Sequence, residues 1–280
     1  MPIRTVLILG CKGTLGGQLM KLYPAATGWD REDVDVLDFA SLRARVKSLP
    51  SAPGAIINCV AFNDVDGAED RPQQALALNQ DFPGKLAEFT RERGIPLVHY
   101  STNYVFDGAQ GEYVEKDLPA PLSAYGRSKR GGEQRIAEAG AHAYIVRTAV
   151  LFGPKGASDL SKKSFVDLMR DLSGKRDTIQ AVSDEINSVT YGPDLAAATR
   201  DLLDGLPEPG IYHLTNRGSA SWFELAREIF RVTGKTINLV PVPSTHFPRK
   251  ALRPPKAILH NTKLPELRPW QEALAEFLAL

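Results

Sequence analysis

Thr5-Val6-Leu7-Ile8-Leu9-Gly10-Cys11-Lys12-Gly13-Thr14-Leu15-Gly16-Gly17 is the stretch that decides the fold. Its first five residues are apolar and rich in β-branched side chains, which reads as a strand buried on both faces, as in a parallel sheet. Glycines at 10, 13 and 16 follow, and Gln18 to Leu22 reads as helix. A glycine turn between strand and helix lets the backbone pass close to a phosphate and offers it the free N–H groups of the helix N-terminus. The spacing G-x-x-G-x-x-G differs from the dinucleotide fingerprint G-x-G-x-x-G, and a purely structural turn is the competing reading. Twenty residues after Gly10 stand Asp30 and Arg31. An acid at that distance meets the adenosine ribose hydroxyls, whereas an arginine pairs a 2′-phosphate, so NAD and NADP both stay open. Asp38 either approaches the adenine or caps a helix from about Phe39 to Val46.

Working outward, Ala55 to Ala61 reads as a strand with its exit loop, and helices follow near Gln73 to Leu78 and Pro83 to Arg93. Leu97-Val98-His99-Tyr100 is the next strand, and it runs into Ser101-Thr102-Asn103-Tyr104-Val105-Phe106-Asp107-Gly108. Polar residues at the carboxyl end of a parallel strand sit where open α/β sheets bind ligands. Tyr125 and Lys129, four residues apart in the next helix, share one face. A cation beside a phenol favours the phenolate, so the spacing predicts a tyrosine pKa lowered from about 10 toward the working range. Ala143 to Arg147 is a further strand. After residue 150 the alternation loosens, with helices expected over Ser164 to Leu172, Asp194 to Leu203 and Trp222 to Thr233, and an irregular Pro-rich lobe over Pro241 to Pro269. The expected fold is therefore α/β, a Rossmann-type doubly wound parallel sheet with a smaller C-terminal substrate lobe. Residues 1–150 form the dinucleotide-binding domain, and 151–280 partly return to it and partly build the lobe.

Composition narrows the function classes. The 280-residue chain is 43% hydrophobic and 24% charged with a net charge of +1, so no long-range field attracts nucleic acid or a membrane surface. Two cysteines make no disulfide framework and suit a reducing compartment, the cytoplasm. The five histidines show no metal-ligand spacing, and no metal is expected. Trp222, Phe223, Leu225, Ala226, Ile229 and Phe230 follow helical spacing and read as a core face. Lys162-Lys163 reads as surface. Arg249, Lys250, Arg253 and Lys256 read equally as a diphosphate site or a solvated face.

A glycine turn, an acid after the second strand, Ser-Thr at a strand end and a Tyr/Lys helix occur here in an order that resembles the extended short-chain dehydrogenase/reductases. Within them the chain is similar to the dTDP-4-dehydrorhamnose reductase family. The resemblance is carried by Gly10 to Leu19, Asn58 to Glu69, His99 to Gly108, Pro121 to Glu133, Arg147-Thr148 and Gly210 to Phe230. It implies an oxidoreductase of dTDP-rhamnose biosynthesis that reduces a nucleotide-linked 4-keto-6-deoxysugar with NADP or NAD as cofactor, and a homodimer as the possible assembly. Tyr125 would protonate the developing alkoxide, Lys129 would hold the nicotinamide ribose and lower the tyrosine pKa, and Thr102 would hydrogen-bond the substrate carbonyl or the tyrosine oxygen. Gly10, Gly13, Leu15 and Gly16, with Lys12 and Thr14 between them, would line the pyrophosphate turn. Asp30, Arg31 and Asp38 would surround the adenosine. Asn58, Val60, Ala61, Asn63 and Ser101 would face the cofactor at the next strand ends. Asn103, Tyr104, Val150 and Arg253 would meet the substrate.

The chain also departs from that pattern. The family usually has Asp where Asn103 stands. An Arg-Thr-Ser-Trp pattern, whose Trp packs on the sugar, is here Arg147-Thr148-Ala149-Val150, and an acid used in some members for a metal-bridged dimer is Gln18. A Gln-Tyr-Gly-x-Pro-Thr loop is replaced by Glu185 to Thr190. The catalytic set is better kept than the sugar-binding set, which implies retained redox chemistry on an altered substrate. Two other readings are the alternatives: a cofactor-binding regulatory partner, since the chain also resembles the regulatory β subunit of methionine adenosyltransferase, and a nucleotide-sugar epimerase that keeps its NAD through turnover.

Overall fold

The computed structural model describes residues 5–158 and 161–280. Strand β1 (Val6–Leu9) is wholly buried and is followed by helix α1 (Thr14–Leu22) and strand β2 (Thr27–Trp29). The chain then alternates through α2 (Phe39–Lys47), β3 (Ala55–Asn58), α3 (Val65–Asp70), α4 (Pro72–Leu76), α5 (Phe82–Arg93) and β4 (Leu97–Thr102). A short strand β5 (Gly111–Tyr113), helix α6 (Ala124–Ala139) and strand β6 (Ala143–Thr148) complete the first half. Six parallel strands lie in the order Gly210–His213, β6, β4, β3, β1, β2. The winding direction reverses between β1 and β3, which is the switch point where such sheets bind ligands outside the strand carboxyl ends. The sheet is sandwiched between two apolar layers. One joins Ile8, Val98 and Val146 to Leu15 and Leu19 of α1 and to Leu195, Leu202 and Leu203, and the other joins Leu7, Ile56 and Leu97 to Phe82, Leu86, Phe89 and Ile136.

The helix after the glycine turn begins at Thr14, four residues before the expected start at Gln18. Gly16 explains the difference: a Cβ there would lie 2.1 Å from the Gly10 carbonyl oxygen, so the first helical turn presses directly on the loop. The two helices expected around Gln73 to Arg93 are one continuous rod. α4 passes into α5 through a π-helical turn over Ala77–Asp81. That turn puts Asn79 in full burial against α6, and Gly132 lets the two approach, since a Cβ there would stand 2.1 Å from the Asn79 carbonyl.

Beyond residue 150 the chain both rejoins the sheet and leaves it. The helix Gly192–Gly205 packs on α1, and the strand Gly210–His213 forms an edge of the six-stranded sheet. A second, four-stranded sheet has the order Ser219–Ser221, Ile186–Ser188, Lys256–Leu259, β5. The Pro-rich segment is thus partly regular, and it contributes Lys256–Leu259 beside β5. The helix Trp222–Thr233 opens with a capping box in which Ser221 and Glu224 exchange bonds, and it ends at Gly234 with φ 64°. It buries Leu225, Ala226, Ile229 and Phe230 against Phe152, Val166, Trp270 and Phe277, a core face as its spacing indicates. Among the described residues no helix is long and apolar enough to cross a membrane.

Candidate active site

A cavity of about 870 Å³ opens at the carboxyl ends of β1, β3, β4 and β6. At one end it is lined by Gly10, Gly13, Thr14, Leu15 and Gly16, with Asp30 and Arg31 beside them. Gly10 has φ 78° and its Cβ position lies 3.2 Å from the Val60 nitrogen, so the loop needs glycine both for its conformation and for the approach of the β3 exit. Asp30 accepts from the Lys12 amide at 2.9 Å through one oxygen and from the Arg31 amide at 2.9 Å through the other. The carboxylate therefore ties the glycine loop to the end of β2. The Arg31 side chain remains half exposed at the cavity wall.

The exit of β3 is fixed by two buried amides. Asn58 accepts from the Val60 amide at 3.0 Å. Asn79, on the π-helical turn, accepts from the Phe62 amide and donates to the Phe62 carbonyl, both at 2.9 Å, and donates to Ser128 of α6 at 3.0 Å. Val60, Ala61 and Asn63 are thereby presented to the cavity.

Ser101, Thr102, Tyr125 and Lys129 form the other end. Thr102 ends β4, where its hydroxyl accepts from the Tyr104 amide at 3.2 Å. Tyr125 stands in the first turn of α6, whose start is capped by Ser123 accepting from the Gly126 amide. Its ring meets Tyr104 edge-on, centroids 6.1 Å apart. Lys129, one turn later and almost wholly buried, donates to the Tyr100 carbonyl at 2.5 Å and lies 3.4 Å from His99 Nε2. Burial pushes the Tyr125 phenol up to about 12, only partly opposed by the Thr102 hydroxyl. Burial pulls the Lys129 ammonium down to about 8 against the attraction of Glu133. This corrects the expectation of a lowered tyrosine: the lysine is turned to the β4 backbone, and desolvation of the phenolate outweighs any cation nearby. A phenol that keeps its proton is the competent form of an acid that must give one up.

Several expected residues lie elsewhere. Asp38 is the cap of α2, its carboxylate accepting from the Ser41 amide at 3.1 Å, and it does not line the cavity. Lys12 points outward to Glu32 at 3.1 Å. Asn58 lies beneath the wall with an exposure of 1%. Arg253 is held by Asp66 at 2.7 and 3.1 Å, which draws the Asp66 carboxyl down to about 2. Arg249, Lys250 and Lys256 are likewise paired, with Glu185, Asp70 and Glu112. Their charge is thus neutralised by the protein's own carboxylates. Tyr104 borders Tyr125 without lining the cavity.

Asn103 is buried and donates to Asn187 Oδ1 at 2.7 Å and to the Ala257 carbonyl at 3.1 Å. It fastens the end of β4 to the second sheet, a task a carboxylate cannot perform because it has no hydrogen to donate. Asn103→Asp should therefore lower unfolding stability by about 1–3 kcal/mol, since the Ala257 carbonyl loses its donor and a charge is buried. Urea denaturation measures this, and an unchanged midpoint would show that the tie is dispensable.

Val150 does line the cavity, with φ 37°, an unusual conformation for a β-branched residue. Thr148, Ala149 and Leu151 line it beside Val150. The sequence reading also missed the stretch made up of residues 155–158 and 161–164. Within it the Ser158 amide donates to the Lys12 carbonyl at 2.9 Å, and Thr14 and Ser161 hydroxyls meet at 3.2 Å. A Cβ on Gly156 would come within 2.3 Å of that same carbonyl, so the chain at Gly156 lies directly on the glycine loop. It brings Lys155, Lys162 and Lys163 to the cavity. Lys162 and Lys163 are exposed, as expected of surface residues, yet they stand at the mouth. Only the chain's return over the loop reveals this, and a Lys-Lys pair alone carries no such signal.

The sheet order, the glycine loop at its switch point and the Tyr/Lys helix define an extended short-chain dehydrogenase/reductase. The profile of the family described as "RmlD substrate binding domain" matches residues 4–280. A dTDP-4-dehydrorhamnose reductase of Mycolicibacterium smegmatis is 39% identical over 80% of this chain and 69% of its own length. A probable dTDP-4,6-dihydroxy-2-methyloxan-3-one 4-ketoreductase of Streptomyces antibioticus is 37% identical over 96% of this chain and 93% of its own. Among solved structures, a dTDP-4-dehydrorhamnose reductase of Bacillus anthracis in complex with NADP superposes with a TM-score of 0.92 at 32% identity, over 100% of this chain and 99% of that one. The chain belongs to the dTDP-4-dehydrorhamnose reductase family.

Proposed function

We propose that this protein reduces the 4-keto group of a dTDP-linked 6-deoxysugar, with NADPH or NADH as hydride donor. The observation that carries the reading is the convergence of Thr102, Tyr125 and Lys129 on a cavity that continues to the glycine loop and Arg31. The glycine cradle, the paired Asp30 and Arg31 and the nearby lysines fit a dinucleotide with its diphosphate on the helix N-terminus. When bound, the cofactor supplies the hydride. Tyr125 holds the proton that the carbonyl oxygen takes as its carbon is reduced, leaving a hydroxyl on the sugar and a phenolate on the protein. Thr102 offers a hydroxyl where charge develops on that oxygen. Lys129, which lines the cavity one helical turn after Tyr125, would meet the nicotinamide ribose when the cofactor is bound.

The relatives are named for more than one keto-sugar, and Val150 stands at the cavity wall where a large aromatic would fill space. The sugar is therefore the part of the reading to determine by experiment. Loss of NADPH absorbance on adding dTDP-4-keto-6-deoxysugars, including dTDP-4-dehydrorhamnose, tests the proposal, and no oxidation with any of them refutes it.

The same reading assigns Arg31 to the 2′-phosphate of NADP. Its guanidinium lies 3.8 Å from Glu32, a loose exposed pair it can leave. Arg31→Ala should weaken NADPH binding about tenfold in calorimetry and leave NADH within about twofold. Equal losses for both cofactors would remove Arg31 from that role.

A further inference from the structure

A second cavity, of about 810 Å³, lies at the edge of the six-stranded sheet and shares no lining residue with the first. Its floor is apolar: Ala143 and Ile145 of β6, Ile211 of the edge strand and Ile136 of α6. These side chains continue the layer that α2, α5 and α6 cover elsewhere on the sheet. The opposite wall is made by Glu115 and Lys116, which follow β5, and by Thr262 and Lys263, which follow the strand Lys256–Leu259. That wall is built in advance of any ligand. Glu115 is buried and accepts from the Thr262 amide at 3.1 Å, the Thr262 hydroxyl at 2.7 Å and the His213 amide at 3.3 Å.

The charged groups of this cavity are unevenly satisfied. Both oxygens of Glu115 are occupied by the bonds just given. Glu133 accepts from Ser101 and Arg147 through one oxygen and from Arg147 and Arg130 through the other. The cations, in contrast, keep donors to spare. Arg130 uses Nη1 on Glu133, and its Nε–Nη2 edge has no partner among the described residues. Lys263 gives a hydrogen to the Ile211 carbonyl at 2.8 Å, and exposed Lys116 has no partner among the described residues. Three cations against two spent carboxylates leave one net positive charge over an apolar floor. A peptide strand cannot pair here, because the outward Ile211 carbonyl and His213 amide are already taken by Lys263 and Glu115.

We propose that this second cavity binds a small monocarboxylate with an apolar body. The Nε–Nη2 edge of Arg130 matches the two oxygens of a carboxylate, which makes it the anchor of the head group. Lys116 and Lys263 add positive charge beside it, and a single negative charge balances the lining. The body of the ligand lies on Ile136, Ala143, Ile145 and Ile211 and removes them from water. The volume is in the range of small-molecule sites, a few polar anchors in a mostly apolar hollow.

Nothing in this site depends on the reductase chemistry, and its test needs no turnover. Octanoate is the probe, followed by NMR of the isoleucine δ1 methyl groups. Ile136, Ile145 and Ile211 report on this cavity, and none of them lines the first. Their three signals should move together and saturate with octanoate. Octanol lacks the charge and acetate lacks the apolar body, so each should bind at least about tenfold more weakly. Arg130→Gln should weaken octanoate about tenfold by removing the anchor. Lys116→Glu, at an exposed position with no contact to lose, should weaken it about threefold and keeps the test standing if Arg130→Gln fails to fold. Absence of a saturable shift at these methyls overturns the proposal. Octanol or acetate binding as tightly as octanoate, or unchanged octanoate affinity in either folded variant, overturns it equally.

Discussion

Tyr125→Phe should bind cofactor with unchanged affinity and lose about 10²–10⁴-fold in the rate of keto-sugar reduction. The substitution removes one oxygen and its proton and keeps the ring. The ring's edge-on contact with Tyr104 and its place in the first turn of α6 are therefore preserved. Nothing else at this end of the cavity replaces it: Lys129 is turned to the Tyr100 carbonyl, and Thr102 presents a weaker hydroxyl already bonded to the Tyr104 amide. Since burial pushes the phenol up to about 12, Tyr125 should keep its proton through the neutral and mildly alkaline range, and the wild-type rate should not fall there through its loss. Single-turnover reduction by the purified variant, with cofactor affinity from calorimetry, separates chemistry from binding. Wild-type turnover in Tyr125→Phe would remove the assigned acid.

Arg147→Met should destabilise the fold by about 3–5 kcal/mol, because it strands a buried carboxylate. Arg147 and Glu133 are 0% and 1% exposed and share two parallel hydrogen bonds of 2.8 Å. Ser101 gives its hydroxyl to the same carboxylate at 2.6 Å, and the Arg147 guanidinium lies 5.0 Å from the centre of the Phe106 ring. Ser101 and Arg147 are directly paired across β4 and β6, one residue before Thr102 faces Thr148. The ion pair thus holds the strand end that carries Thr102. Arg130, partly exposed at 3.1 Å, still pairs with Glu133 and should hold the loss toward the lower end. Urea unfolding measures it, and replacing both partners with apolar residues should recover much of the loss. A single variant as stable as the wild type would mean that Glu133 is protonated in the fold.

The same interior predicts an acid transition with a definite sign. Burial and the Arg147 charge press His213 from 6.5 down to about 4, and burial presses His99 well below 6.5. A histidine held down in the fold takes its proton in the unfolded chain first, so stability is complete above pH 6.5 and declines as the pH falls from there toward 4. Glu133 is also held low, by Arg147 and Ser101, and its contribution disappears as the pH falls below the ordinary carboxylate value of about 4.5. The melting temperature should therefore drop steadily from pH 6.5 to pH 4. A flat profile over that range would contradict the neutral burial of both histidines.

The parts of the molecule that were legible in the sequence are those encoded within one or two turns of chain. The β1 run, the glycine turn, Asp30 after β2 and the Tyr125–Lys129 spacing are local patterns, and each has its place at the cavity. The helix start at Thr14 was not legible, because glycine at 16 reads as a helix breaker until the Gly10 carbonyl is seen beside it. Asn103 and Arg253 look like substrate groups in sequence, since a polar residue beside Thr102 and an arginine within a basic cluster invite that reading. Their partners, Asn187, Ala257 and Asp66, lie 84, 154 and 187 residues away and are set only by the fold. Lys155, Lys162 and Lys163 became cavity residues through the chain's return over the glycine loop. The Asn58–His99 contact depends on the register of β3 with β4, which pairs those two residues directly. Local patterning cannot fix such a register, because it is settled by the packing of the whole sheet.

The measurement that bears most directly on the central claim is steady-state oxidation of NADPH by the purified protein with dTDP-4-keto-6-deoxysugars, run beside Tyr125→Phe. The account predicts turnover with at least one keto-sugar, a hydroxyl at C4 of the product, and loss of nearly all of that turnover in the variant. Tight binding of NADPH with no oxidation by any member of the panel would contradict it and would mark the cavity as a cofactor-binding site without reduction.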